Sequence, residues 1–177
     1  MSYCSYCASL PADNLHKIYH DNHYGFDIDS DDELFGRLIL EINQAGLSWN
    51  TILNKQKSFR NAYDQFSIDK VANYDDEKIA SLLNDAGIIR NKLKVHAAIY
   101  NAQQIQILQK EYGSFKNWIL LNNDKSLAEW VKLFKKSFKF VGGEIVNEFL
   151  MSIGQLPGAH VEECSIYNIA LSHNKMK

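Results

Sequence analysis

Thiols and imidazoles stand at both ends of this 177-residue chain: Cys4 and His20 near the start, His160 and Cys164 near the finish. Cys with His is the donor chemistry of a four-coordinate structural zinc site, and the i,i+4 spacing of His160 and Cys164 lets a helical turn point both one way. Such a set would staple the termini together, and metal binding of this kind contributes on the order of 10 kcal/mol to folding. The residues alone leave alternatives open. Cys7 forms a C-x2-C with Cys4, and His23 or His173 can stand in for His20.

A second group joins one carboxylate to aromatic rings: Tyr19-His20-Asp21-Asn22-His23-Tyr24-Gly25 and, further on, Glu41-Ile42-Asn43-Gln44-Ala45-Gly46-Leu47-Ser48-Trp49. On a helix from Asp31 to Ala45, Glu41 falls at the margin of the apolar stripe beside Leu34 and Leu38, half-buried and facing a cavity. The plainer alternative is a surface pair with Arg37 one turn earlier, worth only about 0.3–0.5 kcal/mol. Tyr19 and Trp49 suit either a stacking pocket or ordinary core packing.

The elements that must carry these residues read as helices. The two prolines, Pro11 and Pro157, lie near the ends, so the long middle holds no obligatory helix breaker, and period-two alternation is nowhere sustained. Ser30 and Glu33 have capping-box form ahead of a helix with Leu34, Phe35, Leu38, Ile39 and Ile42, stopped by Gly46. Further helices begin after Gly46, after Ser67 and at Asp75, the last ending at Gly87. A longer one runs from Arg90 toward Tyr112 and Gly113, followed by segments at Phe115–Leu121, after Ser126, and from Gly142-Gly143 to Gly154. The polar tail after Tyr167 is expected to fray.

Composition narrows the function. Nineteen Lys and Arg against 21 Asp and Glu leave a net charge of −2, so any contact with nucleic acid rests on local patches. No apolar run reaches the roughly 20 residues of a membrane helix, and the N-terminus lacks the pattern of a signal peptide, which predicts a cytoplasmic protein without membrane contact. Three cysteines, an odd number, suit a reducing compartment.

YHDN, E-x-x-QAGLSW, DAGIIRNKLK at 85–94, FKFVG at 138–142 and the late H-x3-C, in that order, resemble the 3-methyladenine DNA glycosylase I family across nearly the whole chain. The resemblance implies one all-α, two-lobed domain over residues 1–177, of the helix-hairpin-helix DNA glycosylase superfamily. Zinc would tie segments 1–25 and 155–170, and the hairpin region would lie at about 76–110. It implies one structural zinc on Cys4, His20, His160 and Cys164, leaving out Cys7, His23 and His173. It further implies a DNA repair enzyme that flips 3-methyladenine out of double-stranded DNA and hydrolyses its glycosidic bond. The lesion would be bound by Glu41, Tyr19, Trp49, Tyr24 and Tyr6, with Glu41 also acting in catalysis.

Extruding a nucleotide costs a few kcal/mol, and stacking on an aromatic face returns roughly 1–3 kcal/mol, more when the base carries charge. The N3-alkylated purine is cationic, so its glycosidic bond is weakened before the enzyme acts, and an anionic Glu41 would favour it over neutral adenine. Should that assignment fail, Glu144 is the carboxylate to examine next. DNA would be gripped between Asn84 and Lys94: Gly87 in a left-handed cap, Ile88 and Ile89 turned inward, Arg90 opening the next helix, and Arg90, Lys92 and Lys94 adding charge beside backbone N–H groups. Leu47, next to Gly46, suits a wedge for the gap. Lys132, Lys135, Lys136 and Lys139 form a second basic face, either solvated or DNA-facing.

The sequence departs from the family at HDNHYG, which places His23 and Tyr24 where an acid and a Trp are usual. It departs again at His16, at Ile42-Asn43 and at FVGGE. A monomeric, monofunctional glycosylase without a lyase step is the expectation. A damage-binding module without excision and a purely structural zinc protein are the alternatives.

Overall fold

The computed structural model describes residues 2–174 and is all-helical, with no strand among those residues. Two short helices open it, α1 (Tyr3–Ala8) and α2 (Leu15–Asn22), capped by Ser2 and Asn14. Neither is long enough to show an apolar stripe, so the sequence does not announce them.

Helix α3 (Asp31–Gln44) is the centre of the molecule. Ser30 Oγ accepts from the Glu33 amide, but the return half of the expected capping box is absent, because the Glu33 carboxylate takes Arg60 instead at 2.7 and 2.6 Å. Every residue from Leu34 to Asn43 is buried, so α3 has no solvent face over that stretch and its charged residues are buried with it. This corrects the half-buried placement of Glu41, since one stripe in the sequence becomes burial on all sides when helices pack around it.

Then follow α4 (Trp49–Ala62), capped by Ser48, a 3-10 turn at Asp64–Phe66, α5 (Ile68–Ala72) and α6 (Asp76–Asn84), capped by Asp75. The hairpin differs from expectation. α6 stops at Asn84, before Gly87, and α7 (Lys92–Tyr112) starts two residues after Arg90, where Asn91 Oδ1 accepts from the Lys94 amide at 3.2 Å. Gly87 is not a left-handed cap. It is glycine for close approach, since a Cβ there would meet Asp85 Oδ1 at 2.9 Å and the Ser58 Cβ at 3.1 Å.

The C-terminal third holds α8 (Phe115–Leu120), α9 (Leu127–Ser137), with a complete capping box at Ser126 and Glu129, and α10 (Gly143–Ser152). Phe115, Trp118, Trp130, Phe134, Phe138 and Phe149 interlock behind α3 with centroid spacings of 5.3–6.4 Å. Within the described residues the tail expected to fray is instead helix α11 (Tyr167–His173), held by buried Ala170, and the rest of that expectation, at 175–177, lies outside them. A second, smaller cluster of Tyr19, Tyr24 and Leu53 packs against Tyr3 and Trp49, apart from the main core.

Candidate active site and metal-ligand cluster

Cys4 Sγ, His20 Nε2, His160 Nδ1 and Cys164 Sγ converge within 4.8 Å of one another. His20 Nε2 lies 3.2 Å from His160 Nδ1 and 3.7 Å from Cys164 Sγ, and His160 Nδ1 lies 3.8 Å from both sulfurs. A tetrahedral ion with about 2.05 Å to nitrogen and 2.3 Å to sulfur requires edges of about 3.3, 3.6 and 3.8 Å, so the donors fit a four-coordinate metal. The far ring nitrogens are both taken: His20 Nδ1 lies 2.7 Å from Asp21 Oδ1, and His160 Nε2 lies 2.7 Å from the Tyr24 carbonyl. That pattern turns the two lone pairs toward the shared centre, where they would repel without a cation between them. Cys7 stays outside, its Sγ donating to the His16 carbonyl at 3.6 Å, and neither His23 nor His173 enters the group.

The pocket is built on neighbours of these residues. Tyr3 adjoins Cys4, Tyr19 adjoins His20, and Tyr24 offers His160 its carbonyl, so the metal-ligand cluster backs three rings of the pocket wall. Gly25, at φ +79°, permits this closeness: a Cβ would lie 2.7 Å from the Ala159 Cβ. Tyr3, Tyr19, Tyr24, Glu41, Gln44, Trp49 and Glu148 line a cavity of about 270 Å³. Trp49 meets Tyr19 at 5.0 Å between centroids, Tyr19 meets Tyr24 at 5.6 Å, and Tyr3 stands edge-on to Tyr24 at 5.7 Å. Tyr6 is placed differently from expectation. It is 40% exposed and stacks on the outer side of Tyr3, because one helical turn separates them and only Tyr3 faces inward.

Glu41 is only 4% exposed, yet it makes no ion pair with Arg37. The Arg37 guanidinium donates instead to Tyr19 Oη at 3.0 Å and to the Ser152 carbonyl at 3.2 Å, fixing the ring and the end of α10. Burial pushes the Glu41 carboxyl up to about 8; Arg37 pulls it down and Glu148 pushes it further up. Trp49 Nε1 is buried without a protein acceptor.

Glu148 was not legible in the sequence. It reaches the pocket because α10 packs on α3, and its Oε2 accepts from Tyr24 Oη at 3.3 Å. The phenol at position 24, a departure from the family pattern, supplies that donor. Glu144 stands one turn away, exposed, on the adjoining groove of about 540 Å³ that also holds Glu41, Gly46, Leu47 and Glu148.

Gly46, at φ +82°, turns the chain after α3 and leaves Leu47 41% exposed at the groove. Lys94 braces this turn from the hairpin side. Its Nζ is buried and donates to the carbonyls of Asn43 at 3.0 Å and Ala45 at 2.9 Å, so it holds the end of α3 and no lysine lines either cavity. Lys55 Nζ fixes the hairpin through the Ala86 carbonyl at 2.8 Å. Arg90 and Lys92 are exposed, Ile88 is buried and Ile89 half-buried. Lys132, Lys135, Lys136 and Lys139 are exposed as well.

A family profile described as methyladenine glycosylase matches residues 9–132. The DNA-3-methyladenine glycosylase 1 of Escherichia coli (strain K12) is 32% identical over 180 residues, covering 91% of this chain and 96% of that protein. The DNA-3-methyladenine glycosylase of Haemophilus influenzae is 29% identical, covering 89% and 95%. Among solved structures, 3-methyladenine DNA glycosylase I from Staphylococcus aureus, determined for the structural basis of 3-methyladenine recognition, superposes with a TM-score of 0.83 at 27% identity. That match covers 93% of this chain and 97% of the other.

Proposed function

Because this chain belongs to the methyladenine glycosylase family, we propose a division of labour among its residues for the activity it carries, excision of 3-methyladenine from DNA. The enzyme is a DNA-3-methyladenine glycosylase, which hydrolyses the N-glycosidic bond. One observation supports the central assignment: a buried carboxylate, Glu41, sits among four rings with no hydrogen bond from the protein. A cationic base supplies both the charge and the donors that this carboxylate lacks.

Tyr19, Tyr24 and Trp49 then sandwich the everted base, with Tyr3 closing the wall. On entry of the cation Glu41 ionises, its proton passing to solvent water, then accepts hydrogen bonds from the base and stabilises positive charge as the sugar loses its leaving group. The C1′–N9 bond breaks with its electron pair passing to the base, which departs neutral. Water adds its oxygen to C1′ and gives up a proton. At that moment the base charge is gone, and a carboxylate that titrates near 8 is suited to accept that proton. The absence of a lysine from both cavities supports hydrolysis without a lyase step, since no amine is placed for a Schiff base.

Zinc is the metal that the two-thiol, two-imidazole set fits, one per chain, and with four protein donors it would serve structure alone. Double-stranded DNA would lie along the groove with Leu47 filling the gap, and the turn from Asp85 to Asn91, with Gly87, Ile89, Arg90 and Lys92, would hold a phosphate in helix-hairpin-helix fashion between two lobes. A monomer acting in the cytoplasm completes the reading. No helix among the described residues is long and apolar enough to cross a membrane.

Purified protein incubated with alkylated duplex DNA should release 3-methyladenine, identified by chromatography. Recovery of intact lesion, with the DNA bound, would reverse the reading in favour of a damage-binding module.

A further inference from the structure

We propose that Glu148 is a second recognition carboxylate of the base pocket, fixed by the Tyr24 phenol and facing the lesion from the α10 wall, so that positive charge is selected from two sides. The inference rests on the assignment of this pocket to 3-methyladenine and adds a residue to it.

Glu148 and Glu41 line the same two cavities, one from α10 and one from α3, and Gln44 is the other side chain common to both. The two carboxylates differ in how they are held. Glu148 is half-buried and accepts the Tyr24 hydroxyl at 3.3 Å, which orients it while leaving its other oxygen to a ligand. Glu41 is 4% exposed and has no protein donor.

The charges facing the pair are few. Arg37 on α3 is the cation, and its hydrogen bonds go to the neutral acceptors Tyr19 Oη and Ser152 O. Glu144, on the exposed first turn of α10, adds negative charge. The phenols of Tyr3, Tyr19 and Tyr24, from α1, α2 and the turn after it, are all pushed upward by burial and stay neutral. Gln44 and Trp49 carry no charge. Two carboxylates against one guanidinium leave the pocket one positive charge short when both ionise, and a cationic purine supplies it where neutral adenine does not. Glu148 is itself raised by burial and by Glu144 against the pull of Tyr24, and it raises Glu41 in turn. Removing the charge at position 148 therefore lowers the pH at which Glu41 ionises.

The test uses the full chain in two measurements across pH 5–9. One is single-turnover excision from duplex DNA carrying 3-methyladenine. The other is affinity for the same duplex carrying 3-deaza-3-methyladenine, the uncharged isostere. Glu148→Gln should slow excision of the cationic lesion about tenfold, the loss of one charge-assisted contact, and change affinity for the isostere by less than about twofold. It should also move the midpoint of the pH–rate profile to lower pH. Tyr24→Phe, which keeps the ring and frees Glu148, should give a smaller loss in the same direction, with metal content unchanged in both. A Glu148→Gln enzyme with unaltered discrimination and an unmoved midpoint overturns the inference. If Glu41→Gln loses excision while Glu148→Gln is silent, Glu148 alone is removed; if the wild-type chain excises nothing, the underlying assignment falls instead.

Discussion

The Cys/His cluster and the aromatic cavity adjoin through sequence neighbours, yet they treat polar atoms in opposite ways. In the cluster, every imidazole nitrogen turned away from the shared centre has an acceptor at 2.7 Å, so tautomer and ring orientation are fixed in advance. In the pocket, Glu41 has no donor and Trp49 Nε1 has no acceptor, although both are buried. The first arrangement suits an ion that stays, because all four positions come from the chain. The second suits a ligand that comes and goes, because a buried carboxylate without a partner is costly until a cation arrives. Their adjacency couples them: Tyr3 and Tyr19 are each one residue from a member of the Cys/His cluster, so what fixes the cluster fixes the rings.

The largest effect should come from breaking the cluster. Chelation, or His160→Ala, is expected to lower the melting temperature by about 20 °C and to abolish binding of free 3-methyladenine, followed by calorimetry. Retained base binding by metal-free protein would separate the two regions.

Glu41→Gln breaks the other side. Single-turnover excision should fall about 100-fold or more while elemental analysis still finds one metal per chain. Stability should move the opposite way. The folded carboxyl holds its proton to about pH 8, whereas in the unfolded chain it ionises near its ordinary value, so unfolding releases a proton between those limits and stability falls as pH rises through them. The Gln variant lacks that loss and should melt about 5 °C above wild type at pH 8, with the gap closing toward pH 5. A constant gap across that range would remove burial as the cause.

Two smaller effects sharpen the comparison by touching neither cluster. Lys94→Met releases the Asn43 and Ala45 carbonyls and should slow excision from duplex DNA about tenfold, while free 3-methyladenine binds within about twofold of wild type. Equal losses in both assays would make Lys94 a general stabiliser rather than a brace for the groove. Leu47→Ala should cost about threefold in excision with no change in melting temperature, since the side chain is 41% exposed and packs on little.

Much of the helical scaffold is legible in the sequence. Ser30, Asp75 and Ser126 mark helix starts that the structure keeps, because a capping hydroxyl or carboxylate acts on its own next turn and needs no tertiary partner. The hairpin boundaries slip by two or three residues where Gly87 proves to be a packing glycine and not a cap. Tyr3 and Tyr6 show the same limit: both are aromatic and both lie beside Cys4, and only the packing of α1 on α2 decides which faces the pocket.

Residue type and order by themselves determined the helical class and the donor chemistry of the two thiols and two imidazoles, while Glu41, Tyr19 and Trp49 stood out as a pocket set only through the motifs that carry the family resemblance. These are local properties, carried by side-chain chemistry and by motifs a few residues long. Only the tertiary structure decided that Glu41 is buried on all sides and raised to about 8, that Arg37 serves Tyr19 instead of Glu41, and that Glu148 enters from more than a hundred residues away. Burial and charge at a point sum over everything packed around it, and α10 meets α3 only when the chain has folded.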